Sequence, residues 1–195
     1  MSSQEEKVNF EGFPVSGWRT RVVPVHRPPG NPAILSVRSR GPLTGFFVHP
    51  VLSTPRVREE GPLLLQTFGT APHMFVLPGR YTHVKVERTG MEASGIARWK
   101  LDRTSPDDLR ILKDRVTGVG AEVFKWNGGE GRLHFDFTHK YGFRSVFRLF
   151  SYENGEEERM EREGTTLGAV TIPMSGFVSI QAPGEWQVEV SRPGT

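Results

Sequence analysis

The sequence predicts an all-β protein built as two tandem antiparallel β-sandwiches related by internal duplication, residues 1–103 and 104–195. Three observations carry this. Gly 22 and Pro 15 are high together, a composition of short strands and turns rather than long helices. Almost no window keeps a 3.6-residue apolar period, whereas short alternating runs recur along the chain. One stretch also occurs twice. Phe75-Val76-Leu77-Pro78-Gly79-Arg80-Tyr81-Thr82-His83-Val84-Lys85-Val86, closed by Trp99-Lys100-Leu101, is echoed by Val170-Thr171-Ile172-Pro173-Met174-Ser175-Gly176-Phe177-Val178-Ser179-Ile180-Gln181, closed by Trp186-Gln187-Val188. Each reads as an apolar strand, a Pro/Gly turn, a strand opening on an aromatic, and a last strand carrying Trp.

In the first half, Val8-Asn9-Phe10 begins an apolar alternation that Gly12-Phe13-Pro14 interrupts. Arg19 to Val25 reads as a strand, with Thr20 and Val22 on one face and Arg21, Val23 and Val25 on the other. Arg27-Pro28-Pro29-Gly30-Asn31-Pro32 reads as a loop. Ala33 to Arg40 is the next strand, with Ala33, Leu35 and Val37 on one face and Ile34, Ser36 and Arg38 on the other; Gly41-Pro42 then turns the chain. Phe46 to Leu52 follows, and its Pro50 suggests an edge or a bulge. Leu63-Leu64-Leu65 returns to the core after a polar stretch.

The second half repeats this order. Val116-Thr117-Gly118 answers Val15-Ser16-Gly17, and Val123-Phe124-Lys125-Trp126 answers Val22-Val23-Pro24-Val25. Leu133, Phe135 and Phe137 answer Ala33, Leu35 and Val37; Gly142-Phe143 answers Gly45-Phe46; Leu77-Pro78 pairs with Ile172-Pro173 and Tyr81 with Phe177. Val146 to Tyr152 reads as a strand turned by the hairpin signal Asn154-Gly155. Loop insertions account for the drifting spacing. The competing account is that any two β-sandwiches of similar size show such echoes. Ser105-Pro106-Asp107-Asp108 is a good local helix start, yet the repeat makes it an interdomain turn and Leu109 to Lys113 a strand. A helix of one or two turns is the alternative there. Glu156 to Glu163 has helix propensity, but Met160 is its only apolar residue, so it reads as a charged hairpin continuation or exposed loop.

Bulk properties narrow the function classes. Hydrophobic residues at 36% and a mean hydropathy of -0.41 describe an ordinary folded chain with no membrane span. Cys 0 removes disulfides, thiolate metal sites and cysteine nucleophiles. The polar start, Met1 to Lys7, is unlike a secretory signal, and a cytoplasmic location is expected. Residues 1–103 carry 14 Lys/Arg against 8 Asp/Glu, and residues 104–195 carry 11 against 14, so the net +3 divides into +6 and -3. Halves of opposite sign can attract head to tail. Nucleophile-elbow, zincin, phosphate-loop, dinucleotide and Asp-rich calcium motifs are all missing, which removes most hydrolase and nucleotide chemistry short of a site assembled from scattered residues.

A few residues remain as candidates. His134 and Asp136 share one strand face near His139, and imidazole with carboxylate at i and i+2 is a metal-ligand arrangement, although a solvated face is the plainer account. His49, His73 and His83 lie in the first half; His83 shares an outward face with Lys85. Trp99, Trp126 and Trp186 read as core, while Trp18, beside Arg19, is open to exposure and to stacking on a sugar or a partner. Arg19, Arg21, Arg38 and Arg40 alternate along two strands as a basic stripe. The small net charge, the acidic second half and the lack of an aromatic-basic RNA signature argue against nucleic acid.

The ending Gly79-Arg80-Tyr81-Thr82-His83-Val84 with Trp99-Lys100-Leu101, and Trp186-Gln187-Val188, resembles the tandem jelly-roll-like modules of bacterial accessory proteins. Phe177 stands where their motif has Tyr, and Met174-Ser175 lengthens the second turn. The resemblance implies jelly-roll-like sandwiches serving as non-catalytic binding or assembly domains. The expectation is therefore a non-enzymatic structural or interaction protein, an assembly or docking component with no catalytic residue, metal or cofactor. The alternative is a carbohydrate- or small-ligand-binding module that uses Trp18. Expected partners are a protein or a second copy, with a glycan as the alternative. Contact candidates are Trp18, Arg19, Arg21, Arg38 and Arg40 at one end and Glu156, Glu157, Glu158 and Glu161 at the other.

Overall fold

The computed structural model describes residues 10–40, 45–67, 70–89, 98–138, 146–159 and 167–191. Among these the strands are β1 (Val15–Gly17), β2 (Arg21–Pro24), β3 (Ala33–Arg40), β4 (Gly45–Ser53), β5 (Arg58–Glu60), β6 (Leu65–Gln66), β7 (His73–Leu77), β8 (His83–Thr89) and β9 (Arg98–Thr104). They continue as β10 (Arg115–Trp126), β11 (Gly131–Thr138), β12 (Val146–Phe150), β13 (Glu157–Arg159), β14 (Leu167–Ile172) and β15 (Gly176–Ser191). Every strand pair is antiparallel, and no α-helix occurs among the described residues. The fold is all-β, and no helix among the described residues is long and apolar enough to cross a membrane.

Alternation along each strand decides what the sheets enclose. The first sheet has the order β1-β9-β3-β7 and the second β2-β8-β4-β5, with β6 also on β4. Leu35, Val37, Trp99 and Leu101 of the first face Val23, Phe46, Val48, Val84 and Val86 of the second across one core. Burial of each such side chain contributes roughly 1.5–3 kcal/mol. Pro50 lies inside β4 rather than at an edge. Its carbonyl accepts from Gly61 N (2.8 Å), in the stretch between β5 and β6. The missing N–H of Pro50 therefore faces a break in the neighbouring edge and interrupts no ladder bond.

The third sheet curls on itself. β10 and β15 pair along nearly their whole lengths, with a register shift at Gly120, whose φ of 77° suits a residue without a side chain. The N-terminal part of β10, the C-terminal part of β15, β11 and β14 follow one another in that order. The C-terminal part of β10, the N-terminal part of β15, β12 and β13 form the other run. Between the runs lie Phe124, Trp126, Leu133, Phe135, Phe137, Phe147, Val178, Ile180, Trp186 and Val188.

Register corrects two of the expected equivalences. Ser39 lies opposite Trp99 and Phe137 opposite Trp186, so Leu133, Phe135 and Phe137 stand with Leu35, Val37 and Ser39, two residues along from the sequence match. Leu77 and Ile172 do take matching places, opposite Ala33 and Gly131. Phe177 stands where His83 stands, and not where Tyr81 does, because Val22 opposite Lys85 corresponds to Val123 opposite Ser179. Val8, Asn9, Gly142 and Phe143 lie outside the described residues.

The link between the halves takes the alternative form at its start. Pro106–Asp108 is a single 3-10 turn, with Ser105 Oγ accepting from Asp107 N (3.3 Å). Beyond it Leu109 to Lys113 makes no full strand. It adds one parallel bridge, Ile111 to Lys125, with Leu112 N donating to Lys125 O (2.7 Å). Leu109 enters a small core between the halves with Ile34, Val76, Val123, Phe150 and Phe177. Gly79 N donates to Asn154 O (2.6 Å) and Gln181 Nε2 to Leu64 O (2.8 Å) across the same junction.

Candidate interaction face

The outer side of the first sheet carries a basic patch. In β3, Leu35 and Val37 point inward, so Ser36, Arg38 and Arg40 point out. In β9, Trp99 and Leu101 point inward, so Arg98 and Lys100 point out. Register then brings these side chains into rows: Arg38 lies opposite Lys100, which lies opposite Ser16, and Arg40 lies opposite Arg98. Trp18 follows Gly17 out of β1, and the Arg98 guanidinium sits 5.5 Å from its ring centre. Trp18 is 59% exposed, the most exposed large apolar residue among the described residues of the first half. Asp102 is the one carboxylate in these rows, and Lys100 Nζ holds it at 3.1 Å. Arg98, Arg38 and Arg40 keep a surplus of positive charge around an exposed aromatic, the composition of a contact centre.

The expected stripe is thus only half assembled. Arg38 and Arg40 share this face. Arg21 belongs to β2 in the other sheet, on the core-facing register at the strand end, and Arg19 lies in the exposed corner between β1 and β2. The stripe takes Arg98 and Lys100 instead. Their outward direction is readable from the Trp99-Lys100-Leu101 alternation, but the pairing of β9 with β3 is not.

The acidic candidates do not form a separate end. The Asn154-Gly155 turn rests on the first half, with Gly155 against Pro32 and Pro78. Glu156 follows it, exposed. Glu157 Oε1 lies 3.6 Å from Arg148 Nε, and Glu158 pairs with Leu149 in the backbone ladder. Glu161 lies outside the described residues. A different acidic face appears on the second half. On the outer side of β11 and the C-terminal part of β15, Asp136 lies opposite Gln187, His134 opposite Glu189, and Glu185 opposite both Thr138 and Val119. By register Asp136 stands where Arg38 stands, Glu185 where Arg98 stands and Val119 where Trp18 stands. Val119 is 52% exposed. Arg115 and Arg132 flank these carboxylates on the same side.

The histidines do not converge. His73 is buried at the junction and accepts from Ala121 N through Nδ1 (3.2 Å). His83 lies outward near Lys85, and burial, with Arg58 and His26 nearby, lowers its pKa. His134 Nε2 is 3.3 Å from Ser191 Oγ, and His139 lies outside the described residues. Among the described residues, His49, Glu60 and Glu87 are the donors close enough to share a cation, their ligand atoms within 4.8 Å of one another. The Lys85 ammonium already sits on both carboxylates, 3.0 Å from Glu60 and 2.7 Å from Glu87, and these bonds raise its pKa. The cluster supplies its own cation.

One positioning residue gave no signal in the sequence. Arg27, inside the Pro-rich loop, donates to the carbonyls of Leu77 (2.9 Å), Pro78 (2.7 Å) and Tyr81 (2.6 Å). Burial, with Arg103 nearby, brings its pKa down to about 10. It fixes the turn whose Gly79 meets the second half. Compared with known proteins, the chain matches no family model and has no significant match among curated sequences.

Proposed function

We propose that the chain is a non-enzymatic interaction protein, two tandem sandwiches of one duplicated type, docking through the basic Trp18 face. The observation that carries this is the register of Arg38, Arg40, Arg98 and Lys100 on one sheet face beside an exposed indole. The duplication is supported by matching strand orders in the two halves and by matching Gly–Trp pairs, Gly17 with Trp99 and Gly118 with Trp186. The partner is a protein with an acidic face, and the second half of another copy has one, with Asp136 and Glu185 at the places of Arg38 and Arg98. Such a head-to-tail contact is heterologous and closes a ring or grows a filament. Exposed charge pairs contribute about 0–1 kcal/mol each, so charge sets rate and register while Trp18 and Val119 supply apolar contact. Sedimentation velocity across a salt series tests the reading. Association that weakens with salt and falls further in Trp18→Ala is expected. A protein that stays monomeric at all salts and recovers no acidic partner would contradict it.

The exposed indole also favours a second reading, carbohydrate binding by stacking on Trp18, with the neighbouring arginines selecting acidic sugars. A glycan array in which Trp18→Ala abolishes binding would select that reading.

A further inference from the structure

The strand edges of this molecule are not equally protected. An open edge presents unpaired N–H and C=O groups, and proteins guard such edges by shortness, charge, proline, bulges or a cover. β5 is Arg-Glu-Glu and β13 is Glu-Glu-Arg. β1 has 3 residues, and β2 has 4 and ends on Pro24. β7 is covered by the second half, through the His73–Ala121 bond and the packing of Val76 with Val123 and Phe177. β10 carries Arg115, Glu122 and Lys125, bulges at Gly120 and is bridged by Ile111.

Among the described residues, β14 has none of these guards. Leu167-Gly168-Ala169-Val170-Thr171-Ile172 is 6 residues long, with no charge and no proline. Among the described residues it pairs with β11 alone and ends its sheet. Leu167 at its head is 72% exposed, and Val170 is only partly covered at the border of the core. In the antiparallel ladder with β11, alternate residues of β14 turn both backbone groups away from β11. By register β14 takes the place of β7, the edge that the first half has covered.

We infer that β14 is a homotypic docking edge: it pairs antiparallel with β14 of a second copy about a two-fold axis. The occupant follows from the other edges. A second copy offers no other long, uncharged and uncovered edge among the described residues, so the complement to β14 is β14 itself. Identical strands meeting antiparallel form a closed, isologous contact that joins the two four-strand runs into one continuous sheet. No charged side chain of β14 is set against its own copy, so this contact responds weakly to salt. That separates it from docking through the basic face, and either can fail without the other.

The chain has no cysteine, so single cysteines report the pairing directly. Ala169→Cys, Thr171→Cys and, as an exposed control away from both proposed contacts, Val57→Cys are oxidised at high and low salt, and the wild type is run by light-scattering chromatography. Pairing through β14 gives a wild-type dimer at both salts and covalent dimer from Ala169→Cys or Thr171→Cys at least ten-fold above Val57→Cys. It also gives a folded monomer from Ala169→Lys with Thr171→Lys, verified by an unchanged circular dichroism spectrum. A wild-type monomer at several hundred micromolar, equal cross-linking at Val57→Cys, or a dimer that survives the two lysines would each overturn it. If the lysine variant does not fold, the cysteine yields decide.

Discussion

Gly17 and Trp99 lie directly opposite each other in the β1–β9 pair, and the Trp99 indole fills the space that a Cβ on Gly17 would need. Gly118 and Trp186 repeat the relationship in the β10–β15 pair. In each case the indole N–H donates to the carbonyl two residues beyond the glycine: Arg19 at 3.1 Å and Gly120 at 2.9 Å. A large ring thus plugs each core while its polar atom is satisfied by a backbone carbonyl just past the glycine it covers.

Replacing Trp99 or Trp186 by Ala should cost about 3–5 kcal/mol, since both are fully buried. Gly17→Ala and Gly118→Ala should each cost about 1–3 kcal/mol by overpacking. In a Trp186→Leu background the cost of Gly118→Ala should shrink, which a double-mutant cycle in urea measures. Additive effects would mean that the glycine is not there to admit the ring.

Arg27→Met should destabilise by about 2–4 kcal/mol, because three carbonyls lose a charged donor while the replacement fills similar volume. Arg27→Lys should recover only part of this, since one ammonium cannot reproduce the fork. Equal stability of the methionine variant and the wild type in chemical denaturation would refute the clamp.

Burial raises the Glu122 pKa above 4.5, outweighing the nearby Arg110 at 3.3 Å. The folded state therefore holds this proton where the unfolded state has lost it. Ionisation then lowers stability as pH rises from 4.5 through the folded value. Glu122→Gln should be more stable than the wild type at pH 7, with the gap closing below pH 4.5. Urea midpoints at both pH values check this, and a less stable variant at pH 7 would mean that the Arg110 pair dominates.

Ser179 is fully buried near the junction, and its hydroxyl has no hydrogen-bond partner among the described residues. Ser179→Ala should leave stability unchanged or raise it by up to about 1 kcal/mol. A loss of more than that in thermal melts would require a bridging water or an unseen bond.

Local patterns made much of the architecture legible. Proline before and Gly-Pro after Ala33–Arg40 set the bounds of β3, and its alternation separated Leu35 and Val37 from Arg38. The two tryptophans marked the final strand of each half. What one strand cannot reveal is its neighbour. The pairing of Arg38 with Lys100 and of Arg40 with Arg98 depends on chain folded across more than fifty residues, and so the basic face was only half legible. Phe177 answers Tyr81 in sequence order, but register sets it at the place of His83, facing the junction between the halves. Arg27 sat in a loop that composition marks only as irregular, and its three acceptors lie about fifty residues away.

Exchanging the charges tests docking between the two unlike faces. Arg38→Asp with Arg98→Glu places on the basic face the acidic residue types that the second half carries at those positions. Sedimentation velocity at low salt should show this variant losing the salt-sensitive association that lies beyond any β14-paired dimer. It should be regained when Asp136→Arg and Glu185→Arg are added, or when the two double variants are mixed. Association unchanged by the first exchange, or lost in it and not restored by the second, would contradict docking between these two faces.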